Sequence, residues 1–169
     1  AMYQAKQTGK NRYHLFDVVH DAAIKTQRES LERIRQALQA AEFVLHYQPK
    51  VNMRTGAVVG AEALIRWQHP ERGLLAPSVF LPAIEDHPIS VALGEWVIDT
   101  ALTQMALWHS DGQVIPVSVN VGGRQLQMDG FARRLSELLS THPEVQPQWL
   151  ELEVLETSAL EDMALVDKV

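Results

Sequence analysis

Two long stretches of the chain carry apolar residues at helical spacing. The first lies between about residues 21 and 42, and most of its surface is polar. Its apolar stripe comprises Leu31, Ile34, Leu38 and Ala41. Glu29 and Arg33 are four residues apart, so they are predicted to pair on the solvent side. The second stretch, residues 89–108, carries a fuller stripe. The pattern predicts a mostly exposed connector helix followed, later in the chain, by a long packed helix.

After Glu42 the hydrophobic period changes from helical to alternating. This change predicts strands over 43–48 (ended by Pro49), 57–67, 114–121 and 149–154. Helices are predicted between them over 77–85, 89–108 and 131–139, and again after residue 154. The first two strands are close enough to form a hairpin. Strands that alternate with helices predict an α/β fold with a parallel sheet, and both a doubly wound sheet and a (β/α) barrel fit the pattern.

Three of the predicted strands carry polar side chains on one face. Glu62, Leu64 and Arg66 share a face of the second strand, whereas Ala61, Ala63 and Ile65 share the other. The valines of Val117–Val121 oppose Ser118 and Asn120, and Leu150, Leu152 and Val154 oppose Glu151 and Glu153. One face of each strand is therefore suited to packing under helices, and the other face can carry the polar residues of a functional site.

The polar residues near the carboxyl ends of these strands predict a site. Active sites of α/β barrels lie at that end, so Glu62, Asn120 and Glu153 are expected to converge. Two carboxylates and an amide oxygen suit Mg²⁺ or Mn²⁺, and the guanidinium of Arg66 could hold a phosphate. Together they suggest metal-assisted hydrolysis of a phosphate ester. The alternative is a set of hydrogen-bonded polar residues inside a barrel, and no role is evident for Glu151.

Composition narrows the possible functions. Net charge is −6, which argues against a partner such as polymeric DNA or RNA but leaves room for a small anionic ligand. There is no cysteine, so disulfides, thiolate metal sites and cysteine nucleophiles are excluded. No apolar run approaches the roughly 20 residues that a transmembrane helix needs. These features fit a cytoplasmic protein.

Six short motifs occur in an order and spacing that identify a family. They are Tyr47-Gln48-Pro49, Gly60–Trp67 with its Glu62-Ala63-Leu64 core, His69-Pro70, Pro77–Phe80, Val117–Val121 and Leu152–Glu156. From about Glu42 to its end, the chain resembles the bacterial EAL domain. It departs from the usual pattern at Leu155, where the family commonly has threonine.

The resemblance implies a fold, a reaction and a set of site residues. The fold is a (β/α)₈ TIM-type barrel, and the reaction is Mg²⁺- or Mn²⁺-dependent hydrolysis of cyclic-di-GMP to linear pGpG. By position, the residues that resemble metal ligands are Glu62, Asn120 and Glu153. Those that resemble substrate contacts are Gln48, Leu64 and Arg66. Glu62, Glu153 and Glu156 are the implied catalytic residues, the last by supporting a nearby loop.

The first 17 residues resemble another family. Ala1–Tyr13 is similar to the last helix and strand of a GGDEF domain, without that family's signature loop. The expected organisation is therefore a GGDEF tail over 1–17, a linker helix over 18–41, and the front part of an EAL domain over 42–169. The family's paired aspartates, lysine and later glutamate are expected beyond residue 169. The isolated chain is thus expected to be inactive and its barrel incomplete.

The resemblance leaves alternatives open for the parent protein. It is expected to be a cyclic-di-GMP phosphodiesterase and a homodimer, with tethering to the inner membrane by an upstream sensor left open. A catalytically inactive cyclic-di-GMP receptor is the main alternative. A purely structural fragment without activity is the other.

Overall fold

The computed structural model of the protein describes residues 18–154, with side chains from residue 25 onward. Its helices are α1 (Val18–Gln39), α2 (Pro77–Phe80), α3 (Ile89–Ser110), α4 (Gly123–Leu126) and α5 (Phe131–Ser140). Its strands are β1 (Phe43–Val51), β2 (Val58–His69), β3 (Gly73–Leu75), β4 (Val117–Val121) and β5 (Leu150–Val154). Short 3₁₀ turns follow α2 and precede β5. The predicted GGDEF tail and Glu156 lie outside the described residues.

The described strands form one mixed sheet in the order β1-β2-β4-β5. The short strand β3 lies outside this order and pairs antiparallel with the end of β2. β1 and β2 form the predicted antiparallel hairpin, and β2, β4 and β5 run parallel. The α/β class predicted from the alternation of elements is therefore confirmed. No helix in the described part of the chain is both long enough and apolar enough to cross a membrane.

The prediction that Pro49 ends the first strand is wrong. β1 continues to Val51, and Pro49 pairs in register with Ala61. A proline can stay in this strand because β1 lies at the edge of the described sheet, where a missing backbone N–H leaves no ladder partner unsatisfied.

The core lies on the face of the sheet that the sequence marks as apolar. Ala63, Ile65, Val117, Val119 and Val121 are all buried there. They pack against the buried stripe of α3, which comprises Ile89, Leu93, Val97, Ile98, Ala101, Leu102 and Met105. Fully burying one aliphatic side chain contributes about 1.5–3 kcal/mol, so this layer holds the strands in register. The opposite face of the sheet is left to its polar residues.

Helix α1 is docked on this core through its C-terminal half. Ile34 and Ala37 are buried in the same cluster, although most of the helix's described side chains, from Lys25 onward, are exposed. The predicted Glu29–Arg33 pair is wrong, because Glu29 pairs instead with Lys25. Arg33 turns toward the sheet instead, where it pairs with Glu42.

A polar clamp made of Arg33, Glu42 and Trp67 joins α1 to β2. The guanidinium Nη2 of Arg33 donates to Glu42 Oε2 at 2.6 Å, and Trp67 Nε1 donates to the same oxygen at 2.8 Å. The Arg33 guanidinium also lies 5.2 Å from the centre of the Trp67 ring, within cation–π range. The connector helix is therefore fixed to the strand that carries Glu62, Leu64 and Arg66.

Two short elements were not predicted. β3 lies between β2 and α2, and α4 follows β4 directly. The predicted helix over 77–85 is a single α-turn followed by a 3₁₀ turn. The third predicted strand, expected over 114–121, begins at Val117 and is β4 of the structure.

Candidate functional site

A cleft of about 460 Å³ opens at the carboxyl ends of β2 and β4. Helices α2, α3 and α4 form its outer wall, and the wall is mostly apolar. Residues that line it include Leu64, Ile84, Leu93, Val97, Asn120 and Gln125. Its position is the one expected of an active site in an α/β barrel, and its size suits a small-molecule ligand.

Glu62 and Asn120 meet at this end of the sheet. Asn120 Nδ2 donates to Glu62 Oε1 at 2.9 Å, across the parallel pair of β2 and β4. Gln48 is the residue directly opposite Glu62 on β1. The alternation that places these side chains on one face therefore also brings Gln48, Glu62 and Asn120 into a row of neighbours across three strands.

Glu153 is next to Asn120 in the strand register, but its carboxylate turns toward a lysine. Lys50 Nζ donates to Glu153 Oε1 at 2.8 Å and to Glu151 Oε2 at 3.2 Å. It also contacts Ser118 Oγ, which in turn donates to Glu151 Oε2 at 2.6 Å. We call Lys50, Ser118, Glu151 and Glu153 the lysine cluster. Glu151, for which the strand pattern suggested no role, is held here.

Sequence reasoning missed Lys50 as a site residue. The signal was present, because Lys50 shares the β1 face of Gln48 by strand alternation. Its reach was not visible from the sequence. Its Cα partner is Gly60, and a Cβ there would lie 3.9 Å from Lys50 Cδ and 3.1 Å from the Pro116 carbonyl oxygen. The lysine chain therefore lies beside Gly60 on its way from β1 toward β4 and β5.

The lysine cluster stabilises the charged form of each of its members. A hydrogen bond with Glu153 raises the pKa of Lys50 above its usual value. A hydrogen bond from the Ser118 hydroxyl, followed by one from Lys50, lowers the pKa of Glu151. The hydrogen bond from Lys50 lowers the pKa of Glu153. Both carboxylates are therefore ionised at neutral pH and available as acceptors or ligands.

The other predicted site residues lie further along β2 or outside the described part. Leu64 lines the cleft beside Asn120. Arg66 is on the same face of β2, and its Nη1 donates to the carbonyl of Ile65 at 2.8 Å. Its guanidinium therefore lies apart from the Glu62–Asn120 pair. His69 Nδ1 accepts backbone N–H bonds from Glu71 and Arg72, so it stabilises the turn that follows β2.

The chemistry of the donors fits a hard divalent cation. Glu62 and Glu153 supply carboxylate oxygens and Asn120 an amide oxygen, the ligand types that Mg²⁺ and Mn²⁺ prefer. The amide orientation of Asn120 follows from its hydrogen bond to Glu62, and a flip would present oxygen instead. Among residues 25–154, no three His, Asp or Glu side chains are grouped tightly enough to hold a metal. Any such site must therefore include the Asn120 amide or further ligands.

Comparisons with known proteins agree on one family. The EAL domain family model matches residues 31–168. The bifunctional diguanylate cyclase/cyclic di-GMP phosphodiesterase MucR of Pseudomonas aeruginosa is 40% identical over 163 residues, which are 96% of this chain and 24% of MucR. The cyclic di-GMP phosphodiesterase PdeR of Escherichia coli is 37% identical over 139 residues, 82% of this chain and 21% of PdeR.

A solved structure described as the PaMucR phosphodiesterase in complex with c-di-GMP has a similar fold. The TM-score is 0.75 at 40% identity, over 81% of this chain and 56% of that one. The chain thus spans about a quarter of the length of the curated relatives and about half of the solved domain.

Proposed function

The chain belongs to the EAL domain family, and from that premise we propose that it forms part of a cyclic-di-GMP phosphodiesterase. The reaction is hydrolysis of one phosphodiester bond of cyclic-di-GMP, in which water adds to phosphorus and the ribose oxygen leaves, giving linear pGpG. The observation that carries the proposal is the Glu62–Asn120 pair, joined at 2.9 Å beside a cleft at the carboxyl end of the sheet.

The proposed roles follow from where each side chain lies. Gln48 and Leu64 are proposed to contact the nucleotide, because Gln48 stands opposite Glu62 on β1 and Leu64 lines the apolar wall of the cleft. Arg66 lies further along the same face, where its guanidinium can bind a phosphate oxygen once it leaves the Ile65 carbonyl. Glu156, outside the described residues, is proposed to support a nearby loop.

Mg²⁺ or Mn²⁺ is the proposed cofactor, and Glu62, Asn120 and Glu153 are the residues that would hold it. The bound cation would supply Lewis-acid polarisation of the phosphoryl oxygen and a more acidic water. The chain's own contribution is to fix three oxygen donors on adjacent strands and to exclude bulk water with the apolar wall of the cleft.

We also propose the domain organisation that the first 17 residues indicate. In it, residues 1–17 end a GGDEF domain, 18–41 are a linker helix, and 42–169 begin an EAL barrel that later residues complete. Two observations support this: α1 lies between the two regions as a continuous helix, and the match to MucR, a bifunctional cyclase and phosphodiesterase, covers 96% of this chain. A homodimeric, cytoplasmic parent, with or without a membrane-bound sensor, fits the same arrangement.

The test is hydrolysis of cyclic-di-GMP by the full-length protein with Mn²⁺, followed by separation of pGpG. Glu62→Ala is expected to lower kcat by at least about 10³-fold, because it removes one of the proposed ligands of the divalent cation. Glu71→Ala, at an exposed loop glutamate, is the matched control and should leave kcat unchanged. Full activity of Glu62→Ala would refute the site, and wild-type binding of cyclic-di-GMP without turnover would indicate a receptor.

A further inference from the structure

The lysine cluster spans the polar face of the described sheet from one edge to the other. Lys50 lies on β1, Ser118 on β4, and Glu151 and Glu153 on β5. The Lys50 side chain passes beside Gly60 of β2, its partner in the strand register, where a Cβ would lie 3.9 Å from Lys50 Cδ. A residue at one edge thereby controls the orientation of carboxylates at the other.

Ordinary surface ion pairing does not account for this cluster. The side chains of Lys50, Glu153 and Glu151 are 37%, 42% and 56% exposed, and ion pairs with that exposure to solvent add little to the stability of a fold. Ser118, in contrast, is 1% exposed, and its hydroxyl accepts from Lys50 while it donates to Glu151. A buried hydroxyl thus fixes the ammonium, and the ammonium in turn fixes Glu153.

We propose that Lys50 is a positioning residue for the divalent-cation site, acting through Glu153. This inference rests on the proposed function, since it assumes that Glu153 is a ligand. Lys50 donates to Oε1 of Glu153, which leaves Oε2 for a cation. It also separates the charges of Glu151 and Glu153, which lie on the same face of β5 and would otherwise repel one another.

Ligand carboxylates that are themselves hydrogen-bonded bind metals better, and loss of such a partner typically costs about 10–100-fold in affinity. Removing the ammonium should free the Glu153 side chain to rotate toward solvent. Because the ion pairs add little to folding, the effect on metal affinity should greatly exceed the effect on stability. A residue with a merely structural role would show the opposite balance.

The experiment measures Mn²⁺ binding to the full-length protein by calorimetry and by loss of the free-Mn²⁺ EPR signal, without substrate. Lys50→Met keeps the aliphatic chain over Gly60 and removes the charge. We expect its Mn²⁺ Kd to rise about tenfold or more, with Tm nearly unchanged. Lys50→Arg should recover most of the affinity. Lys25→Met, at an exposed lysine of α1, is the matched control and should bind as wild type does.

Each alternative result is informative. Tighter Mn²⁺ binding by Lys50→Met would overturn the inference, because it would make Lys50 a competitor for Glu153 rather than its support. An unchanged Kd, or a Kd that rises only in step with a large drop in Tm, would also overturn it. If wild type binds Mn²⁺ no better than Glu62→Ala, the proposed metal site itself fails, and the role of Lys50 fails with it.

Discussion

The clamp between α1 and β2 makes a sharp prediction about Glu42. The same oxygen of Glu42 accepts hydrogen bonds from Arg33 and from the indole of Trp67. Trp67 is only 5% exposed, so losing its acceptor leaves a buried N–H unsatisfied, which costs about 1–3 kcal/mol. The Arg33 and Glu42 side chains are 28% and 19% exposed, and at that partial exposure their ion pair adds about 1 kcal/mol.

Glu42→Ala should therefore lower the free energy of unfolding by about 2–4 kcal/mol at pH 7. Glu42→Gln keeps an oxygen acceptor for the indole and loses only the charge, so its expected loss is about 1 kcal/mol. Urea denaturation followed by tryptophan fluorescence measures both. A double-mutant cycle with Arg33→Met should then give a coupling energy of about 1 kcal/mol between the two side chains.

The difference between the two variants is what tests the reasoning. If Glu42→Ala and Glu42→Gln lose the same amount, the indole bond contributes nothing and the clamp reduces to an ion pair. A loss below about 0.5 kcal/mol for Glu42→Ala would refute the clamp altogether, because surface substitutions have effects of that size.

Three other predictions concern the same fold. The hydrogen bonds from the Trp67 indole and then from Arg33 lower the pKa of Glu42 below the ordinary 4.5. The stabilisation of the fold by the Glu42 carboxylate is therefore complete above pH 4.5 and is lost as the pH falls through the folded-state pKa. In urea titrations, the free energy of unfolding should fall less between pH 7 and pH 4 in Glu42→Gln than in wild type. Gly94→Ala should lower the free energy of unfolding by about 1–3 kcal/mol, although alanine has the better helix propensity, because the added Cβ would lie 2.7 Å from Gln125 Cδ. An increase in Tm would refute that packing. Burial raises the pKa of Tyr47 to about 12, and its hydroxyl has no hydrogen-bond partner among the described residues. Tyr47→Phe should keep the edge-on ring contact with Trp108, whose centroid lies 4.9 Å away, and should leave the free energy of unfolding in urea unchanged or raise it by up to about 1 kcal/mol. A clear decrease in that free energy would reveal a partner for the hydroxyl.

Strand alternation was sufficient to place most of the candidate site. Glu62 and Asn120 alternate along their strands with buried small or branched residues. Because successive side chains of a strand point to opposite faces, this pattern assigns both residues to the polar face without knowledge of the register. Their hydrogen bond then follows from the parallel pairing of β2 and β4. The long helices could also be predicted, because a buried stripe such as that of α3 shows as apolar residues at helical spacing whatever the helix packs against.

The lysine cluster and the clamp could not be predicted in this way. Each joins residues that are distant in sequence: Lys50 bonds directly to Glu153, and Arg33 contacts Trp67 both directly and through the shared carboxylate of Glu42. Local spacing favours Glu29 as the partner of Arg33, but a partly buried carboxylate that also accepts from an indole is a stronger partner than an exposed one.

The docking of α1 has a geometric consequence for everything that precedes it. Residues from Leu31 onward are held by the core and by the clamp, so the helix cannot turn about its own axis at that end. One residue inserted near Arg28 would therefore rotate the preceding chain by about 100° and displace it by about 1.5 Å. Four inserted residues would leave it only about 40° from its original angle. The number of residues in α1, more than their identity, therefore sets the direction in which the first residue of α1 faces relative to the sheet.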